Sequence, residues 1–286
     1  MFRTLVISLM FVPLAAAVPV PSPVPPSSSS EVAASPMPSP LPNDADATAE
    51  LFALVNQSRS EAGLPALKMD EGMNRAALQH AAAMAQQQDL SHQFSGEPSL
   101  SQRLASNATL QMDGAGENVA MTTGDVEEAH DNLMHSPVHH DNLLNSKYDV
   151  AGFAVVHSNN RIWVVQDFGR SVPSYSAQQA EDVVISAFNE QRRQNNLPTV
   201  SAHIDAGLRN AACAMSQAHQ LNTQSLHGLG EGRYFLSFTN TRPQILPVNS
   251  GKAAADASIH GVSVGVCYSS SSAVPAGVYW VAAIFY

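Results

Sequence analysis

The chain has 286 residues, of which 44% are apolar, and it carries 24 acidic and 14 basic side chains for a net charge of -10. Nucleic-acid binding needs a basic face that neutralises phosphates. The sequence has no cluster of Lys and Arg, so we expect no nucleic-acid partner. The apolar fraction is large enough for a hydrophobic core, and no segment after the N-terminus is apolar for long enough to cross a membrane.

The N-terminus has the layout of a secretory signal peptide. A short, weakly basic start that includes Arg3 precedes an apolar run from Leu5 to Ala17, and the run ends in three alanines. This pattern predicts a signal peptide over residues 1–17, with an uncleaved membrane anchor as the alternative. We therefore predict a secreted protein, extracellular or periplasmic, that has no transmembrane helix after cleavage.

Residues 18–43 form a segment of different composition. They contain nine prolines and no aromatic residue. Because proline removes backbone donors and the segment has no apolar periodicity, we predict a disordered linker. About 240 residues follow, a length typical of two small domains or one large domain.

Apolar residues at spacings of three and four predict three helices in the next part of the chain. The first begins at a cap formed by Asp46 and ends at Gly63. The second begins after Asp70, and the third begins near Asp125 and stops at Pro137. The apolar stripe of the second helix consists of Met73, Ala76, Ala77, His80 and Met84.

Residues 91–115, between the second and third helices, have no regular pattern. After the third helix, Val150–His157 and Arg161–Phe168 are apolar, β-prone runs. The turn residues Ser158-Asn159-Asn160 separate them, which predicts a β-hairpin.

The pattern of the first half recurs after residue 175. An Asn, an Arg three residues later and a Leu-Pro pair occur in both halves, and the same number of residues separates each of them from its counterpart. These residues are Asn56, Arg59 and Leu64-Pro65, against Asn189, Arg192 and Leu197-Pro198. The second helix recurs as Leu208, Ala211, Ala212 and Met215; Val150–Val155 is matched with His260–Val264, and Trp163 and Phe168 with Trp280 and Phe285. We interpret residues 175–286 as a diverged, incomplete second copy; the alternative is an unrelated α+β segment with coincidental matches.

Both cysteines of the chain, Cys213 and Cys267, lie in its last third. In an exported protein they can form one disulfide, whereas buried free thiols pack as small hydrophobic groups. The sequence leaves both alternatives open.

Three residues of the first copy form a candidate site: His92, Glu117 and His139. Two imidazoles and a carboxylate can hold a divalent cation such as zinc, and they can equally serve as acid and base, because His titrates near neutral pH. The spacing does not choose between these uses, so no cofactor is assigned. His227 could correspond to His92 in the second copy, but no partner for it is evident.

The remaining histidines are given structural roles. His80 is predicted to be a core histidine, and His130 and His140 are predicted to be surface residues. His135 and His139 have the spacing of a metal pair on a helix, but the intervening Pro137 argues against it.

Nucleophilic catalysis has little support. The first copy lacks cysteine and a Gly-x-Ser-x-Gly turn. Ser91 is adjacent to His92, but neighbouring side chains usually diverge, so Ser136, three residues before His139, is the better nucleophile candidate of the two.

Four motifs in the first copy resemble those of the CAP superfamily, named for cysteine-rich secretory proteins, antigen 5 and pathogenesis-related proteins. They are most similar to its bacterial, SCP-like extracellular branch. In chain order the motifs are Leu54–Leu67, Ser91-His92, Ala115–Ala120, and Met134–Leu144 followed by the closing strands to Gly169. The resemblance covers residues 47–170.

The resemblance implies an α+β fold, an α-β-α sandwich with a central antiparallel sheet, for a domain over residues 44–170. It also implies an open cleft lined by His92, Glu117 and His139, in which Ser136 stands where animal members have a second glutamate. Gly116 is expected to serve a backbone turn beside Glu117. Three departures from the usual Trp, Gly and Arg of bacterial relatives are expected to alter the cleft wall: Leu133, Val138 and His140.

Family members are linked to lipid and sterol binding and to extracellular interactions. The leading hypothesis is a non-enzymatic, secreted protein that binds a small apolar or lipid, glycan or divalent-cation ligand of the cell envelope. One alternative is a metal-dependent extracellular hydrolase of wall peptides or glycans, with Glu117 activating water. Another is a surface adhesion protein with a protein partner. The second copy would be a structural or protein-contact module.

Overall fold

The computed structural model describes residues 7–9 and 41–286. The predicted signal peptide (1–17) and linker (18–43) lie outside the described residues, apart from a strand at Ile7–Leu9 (β1) and residues 41–43. Strand β1 pairs antiparallel with the strand Gln111–Thr122 (β3). No helix within the described ranges is long and apolar enough to cross a membrane.

The chain divides into two compact units that are discontinuous in sequence. The first contains residues up to Glu97 and Gly114–Phe168, and the second contains Pro98–Asp113 and Gly169–Tyr286. The predicted boundary between residues 170 and 175 lies close to the division after Phe168. Residues 98–113, which were predicted to lie inside the first domain, group instead with the second unit.

The first unit contains both helices and strands. The helices are α1 (Ala45–Glu61), α2 (Glu71–Gln87), α4 (Val126–Met134) and α5 (Pro137–Leu143). The strands are β2 (Lys68–Met69), most of β3, β4 (Val150–Ser158) and most of β5 (Arg161–Val172).

Aspartates begin three of these helices. Asp44, Asp70 and Asp125 have extended backbones, and each accepts the N–H of the residue three positions later, which satisfies a donor that the helix leaves open. The predicted cap at Asp46 is therefore wrong by two residues, because Asp46 already lies in the first turn of α1. The caps of α2 and α4 are as predicted.

The strands of the first unit are ordered β3-β5-β4-β2, with β1 beside β3. The hairpin β4–β5 turns at Asn159 and Asn160, both with positive φ, as a two-residue hairpin turn requires. The short edge strand β2 runs parallel to β4, so the sheet is mixed and not fully antiparallel as expected. Parallel strands need a long connection, and the chain between β2 and β4 is long enough to contain several helices and β3.

Alternate side chains of the hairpin enter two separate cores. Phe153, Val155 and Phe168 belong to a cluster with residues of α1 and α4, whereas Ala154 and Trp163 belong to a cluster with residues of α2. A sheet with helices on both faces is an α-β-α sandwich, and the predicted fold class is confirmed.

The second unit is also α+β. Its helices are α3 (Leu100–Asn107), α6 (Ala177–Gln194), α7 (Ala206–Ala218), a 3₁₀ helix (Thr223–Gly228) and α8 (Ser250–Ala255). Its sheet has the order β6-β8-β9-β7, formed by β6 (Ser201–Ile204), β7 (Tyr234–Asn240), β8 (Gly261–Ser269) and β9 (Val278–Phe285). Strand β6 is parallel to β8, and the other pairs are antiparallel.

Ion pairs account for the place of residues 98–113 in the second unit. Asp113 is almost buried and forms ion pairs with Arg170 and with Arg242, whose Nε lies 2.7 Å from Asp113 Oδ2. Gln111 Oε1 also accepts a hydrogen bond from the hydroxyl of Tyr279 at 3.3 Å.

A partly buried asparagine links the opening helix to the following chain in each unit. Asn56 Oδ1 accepts the N–H of Leu67 at 2.8 Å, and Asn189 Oδ1 accepts the N–H of Val200 at 2.9 Å. Each bond spans 11 residues, so the Asn of the sequence pattern has the same structural task in both units.

A buried arginine lies in the last turn of the opening helix of each unit. The guanidinium of Arg59 donates to backbone carbonyls at Pro65 (3.0 Å), Leu143 (2.9 Å), Asn145 (3.1 Å) and Tyr148 (3.1 Å). Burial lowers the pKa of this guanidinium from its usual value. By donating to these carbonyls, the guanidinium satisfies backbone acceptors at and after the end of α5.

Arg192 has the matching contacts in the second unit. It donates to the carbonyls of Pro198 (2.8 Å), Asp256 (2.9 Å) and Ile259 (3.1 Å), the last two of which follow α8.

A glycine brings the central strand close to a helix start in each unit. A Cβ on Gly152 would overlap the backbone between Met73 and Asn74, and one on Gly265 would overlap the backbone between Leu208 and Arg209. Gly265 is thus the counterpart of Gly152, and the sequence match of Val150–Val155 with His260–Val264 is wrong. That match aligned Gly152 with Gly261, which does not approach a helix backbone.

Cys213 of α7 and Cys267 of β8 form a disulfide, with Cα atoms 5.1 Å apart. This decides between the two alternatives that the sequence left open. The bond fastens the helix to the central strand on which it packs.

Candidate functional site

Two of the predicted site residues form a hydrogen-bonded pair. His92 lies in the loop after α2, and its Nδ1 is 2.8 Å from Oε1 of Glu117 on β3. Glu117 is 1% exposed and the His92 side chain is 9% exposed. Because a carboxylate only accepts hydrogen bonds, Nδ1 carries the hydrogen, and a neutral His92 then holds its lone pair on Nε2.

The other two predicted residues form a second pair. His139, in the first turn of α5 and 1% exposed, has its Nδ1 2.6 Å from Oγ of Ser136. Ser136 is the N-cap residue of α5, but its hydroxyl makes no capping bond. The hydroxyl is instead held by the imidazole one turn into the helix.

A network of amides joins the elements that carry the two pairs. Asn118 Nδ2 donates to the backbone carbonyl of His139 at 3.2 Å, and Asn142 Nδ2 donates to that of Glu117 at 3.3 Å. The two amides meet directly at 2.9 Å, and Asn118 also donates to Gln166 at 3.2 Å. These bonds fix β3, which carries Glu117, against α5, which carries His139.

Gly116 is required for close packing and not for the turn that the sequence suggested. It lies within β3, and its φ is not positive. A Cβ there would lie 2.6 Å from the hydroxyl of Tyr148 and 2.9 Å from Oδ1 of Asn142. The glycine therefore allows these polar groups to approach the strand next to Glu117.

The structure gives no support to a metal centre made by His92, Glu117 and His139. Among the residues from 41 to 286, no three His, Cys, Asp or Glu side chains are grouped so that they could hold a metal ion. The arrangement instead offers a carboxylate, imidazoles and a hydroxyl as hydrogen-bond donors and acceptors.

Two other histidines lie inside the first unit. His80 is fully buried, as predicted. His130 was predicted to be at the surface, and this is wrong: it is 5% exposed, and its Nε2 lies 2.9 Å from Oγ of Ser58. Burial lowers the pKa of His130.

The departures from the bacterial pattern lie in different surroundings. Leu133 is fully buried in the core beside α1 and α4, so it is not part of a cleft wall. Val138, next to His139, is 43% exposed, and His140 is partly exposed. His135 ends α4 whereas His139 lies in α5, so the two do not share a helix face.

The second unit has an aromatic contact at its corresponding edge strand. Strand β7 has the place in its sheet that β3 has in the first. The ring of Phe235 on β7 stacks on His227 with centroids 3.8 Å apart. The partner of His227 that the sequence did not reveal is therefore aromatic, and not a carboxylate as for His92.

Residues 52–168 match the family model for cysteine-rich secretory proteins, CAP. This segment carries the His92–Glu117 and Ser136–His139 pairs on an α-β-α sandwich, and it is a CAP domain. The match confirms the superfamily that the motifs of this segment predicted. No curated protein matches the chain.

Three solved structures are similar. An extracellular protein containing an SCP domain from Bacillus anthracis is 28% identical over 44% of this chain and 40% of its own, with a TM-score of 0.40. A cysteine-rich secretory protein from Staphylococcus aureus is 24% identical over 45% and 39%, with a TM-score of 0.36. Na-ASP-1 is 10% identical over 82% and 87%, with a TM-score of 0.44. The matches to the two bacterial structures thus span about two fifths of those chains.

Proposed function

We propose that this protein is an exported, non-enzymatic binding protein whose CAP domain holds a hydroxyl-rich ligand of the cell envelope, a glycan, at the two His pairs. The carrying observation is the 2.8 Å contact between His92 and Glu117, joined through amides to the pair of His139 and Ser136. Carboxylate and imidazole groups bind hydroxyls through directional hydrogen bonds. This donor set suits a glycan better than an apolar chain, which would need an apolar lining.

Export is part of the proposal. It is supported by the signal-like residues 1–17, by the disulfide of Cys213 and Cys267, which persists in oxidising compartments, and by bacterial relatives described as extracellular or secretory. N-terminal sequencing of the protein recovered from medium and periplasm tests it. A mature N-terminus after Ala17 is expected, and retention of the protein in the cytoplasm would contradict it.

The second unit is proposed to be a diverged CAP copy that retains the framework and has lost the site. Matching asparagines, arginines and glycines support the copy, as does the same strand order. The stacking of His227 on Phe235 supports the loss. We propose a structural or protein-contact role for this unit.

The ligand site is tested by NMR titration of the purified protein with the trimer of N-acetylglucosamine. Saturable shifts are expected around His92 and Glu117, and Glu117→Gln is expected to abolish them, since it keeps the side-chain shape but removes the charge. His157→Gln is the matched control: His157 is an exposed histidine in the same unit, bonded to a carboxylate at 2.8 Å. Titrations with zinc and with a fatty acid run in parallel, and binding of either of these and not of the sugar would refute the glycan assignment.

A further inference from the structure

Two residues, His80 and Glu97, hold the loop that carries His92. His80, fully buried on α2, has its Nε2 2.8 Å from the carbonyl oxygen of Ser91. Its Nδ1 lies 2.6 Å from Oε1 of Glu97. One imidazole thus holds both ends of residues 91–97.

Glu97 also forms hydrogen bonds with other residues of the same loop. Its second carboxylate oxygen accepts the N–H of Phe94 at 3.0 Å, and its backbone carbonyl accepts Nε2 of Gln93 at 2.8 Å. Gly96 has φ of +82°, which permits the reversal just before Glu97. A segment without helix or strand is in this way fixed by one internal carboxylate.

The hydrogens on His80 follow from its partners. A carbonyl oxygen only accepts, so Nε2 of His80 carries a hydrogen and donates it to Ser91. The other nitrogen meets the carboxyl group of Glu97. Both contacts are directional, so they determine the position of the Ser91 carbonyl, which is bonded directly to the backbone nitrogen of His92.

We propose that His80 and Glu97 are positioning residues that hold the His92 imidazole against Glu117, with its hydrogen on Nδ1, in the geometry that the ligand requires. The inference rests on the proposed function of the His92–Glu117 pair. Neither residue needs to touch the ligand. They act by fixing the loop, in the way that outer partners orient the groups that bind directly.

The second unit provides a comparison within the same chain. His80 lies ten residues after the capping Asp70, and Met215 lies ten residues after the capping Asp205. Met215 is buried, and its sulfur is the acceptor for the N–H of Asn222 at 3.1 Å. The unit in which an aromatic stack replaces the His–Glu pair thus builds this helix without histidine, so the helix itself does not require His80.

The experiment compares His80→Gln, Glu97→Gln and Glu97→Ala with His157→Gln as control. Long-range ¹H–¹⁵N spectra report which nitrogen of His92 carries the hydrogen, with the signal assigned by His92→Gln. The wild type is expected to show hydrogen on Nδ1 alone. Glu97→Ala and His80→Gln are expected to give a mixture of the two ring forms and to weaken binding of the N-acetylglucosamine trimer by about 10-fold or more. Glu97→Gln, whose side-chain amide can still form a hydrogen bond with Nδ1 of His80, is expected to recover part of both.

Unfolding temperatures separate positioning from stability alone. If Glu97→Ala lowers the unfolding temperature but leaves the His92 ring form and the affinity unchanged, the positioning role is overturned. If His80→Gln does not fold, the two Glu97 variants decide. If the wild type binds no sugar, the proposed function fails, while the ring form of His92 still tests the positioning claim.

Discussion

Replacing Arg192 by Lys measures what a buried guanidinium contributes to the second unit. Arg192 is 1% exposed, and its three nitrogens donate to three carbonyls at 2.8 to 3.1 Å. A lysine ammonium is a single point and cannot reach three acceptors spread around a planar fork. If one bond survives, two bonds to a charged donor are lost, at about 1.5–3 kcal/mol each, which gives a loss of about 3–6 kcal/mol.

The neighbouring residue provides the control. Arg193 is 56% exposed and pairs with Glu190 on the same helix, so Arg193→Lys is expected to change stability by less than about 0.5 kcal/mol. Urea unfolding is followed by the fluorescence of Trp280 in a Trp163→Phe background, which reports the second unit alone. A loss below about 1 kcal/mol for Arg192→Lys would refute the reasoning, because the lost bonds would then contribute less than one ordinary hydrogen bond.

Three further predictions concern the framework. Gly152→Ala is expected to destabilise the first unit by about 1–3 kcal/mol in thermal unfolding, whereas Gly251→Ala, with open space around it, should have no such effect; equal effects would contradict the close approach of β4 to α2. Replacing Cys213 and Cys267 by Ala should cost about 4 kcal/mol for a separation of 54 residues, as read from urea unfolding; an unchanged midpoint would contradict this. Because burial lowers the pKa of folded His130, the unfolded chain binds its proton first, and stability should fall as the pH drops below about 6.5; His130→Gln should flatten that dependence in unfolding scans at several pH values.

Much of the fold follows from local patterns in the sequence. The stripe of α2 and the alternation in the β4–β5 hairpin are each set by burial on one face, so periodicity was sufficient to predict them. Strand β3 was missed because it contains two glycines and polar residues where a strand usually has β-branched ones. The short helix α3 was missed because its eight residues are too few to show a helical periodicity. The signal that could have revealed it is the capping box at Ser99.

The candidate site depended on the family resemblance and not on spacing. His92 and Glu117 are 25 residues apart and meet only because a loop and a strand converge, which no periodicity encodes. The buried His130 was within reach of the sequence, because it lies four residues after Val126 and three before Leu133, both buried on the same helix face. Glu97 gave no signal, since its bonds depend on the local path of an irregular loop.

The discontinuity of the second unit sets an order of events during synthesis. Residues 98–113 leave the ribosome long before Arg242 and Tyr279, the residues that hold Asp113 and Gln111. A chain that is made from its N-terminus therefore carries this segment without these two partners until the last strand has been made. A chain cut after residue 170 would keep the segment but lose those two partners, so a single cut near the boundary divides the second unit between two fragments.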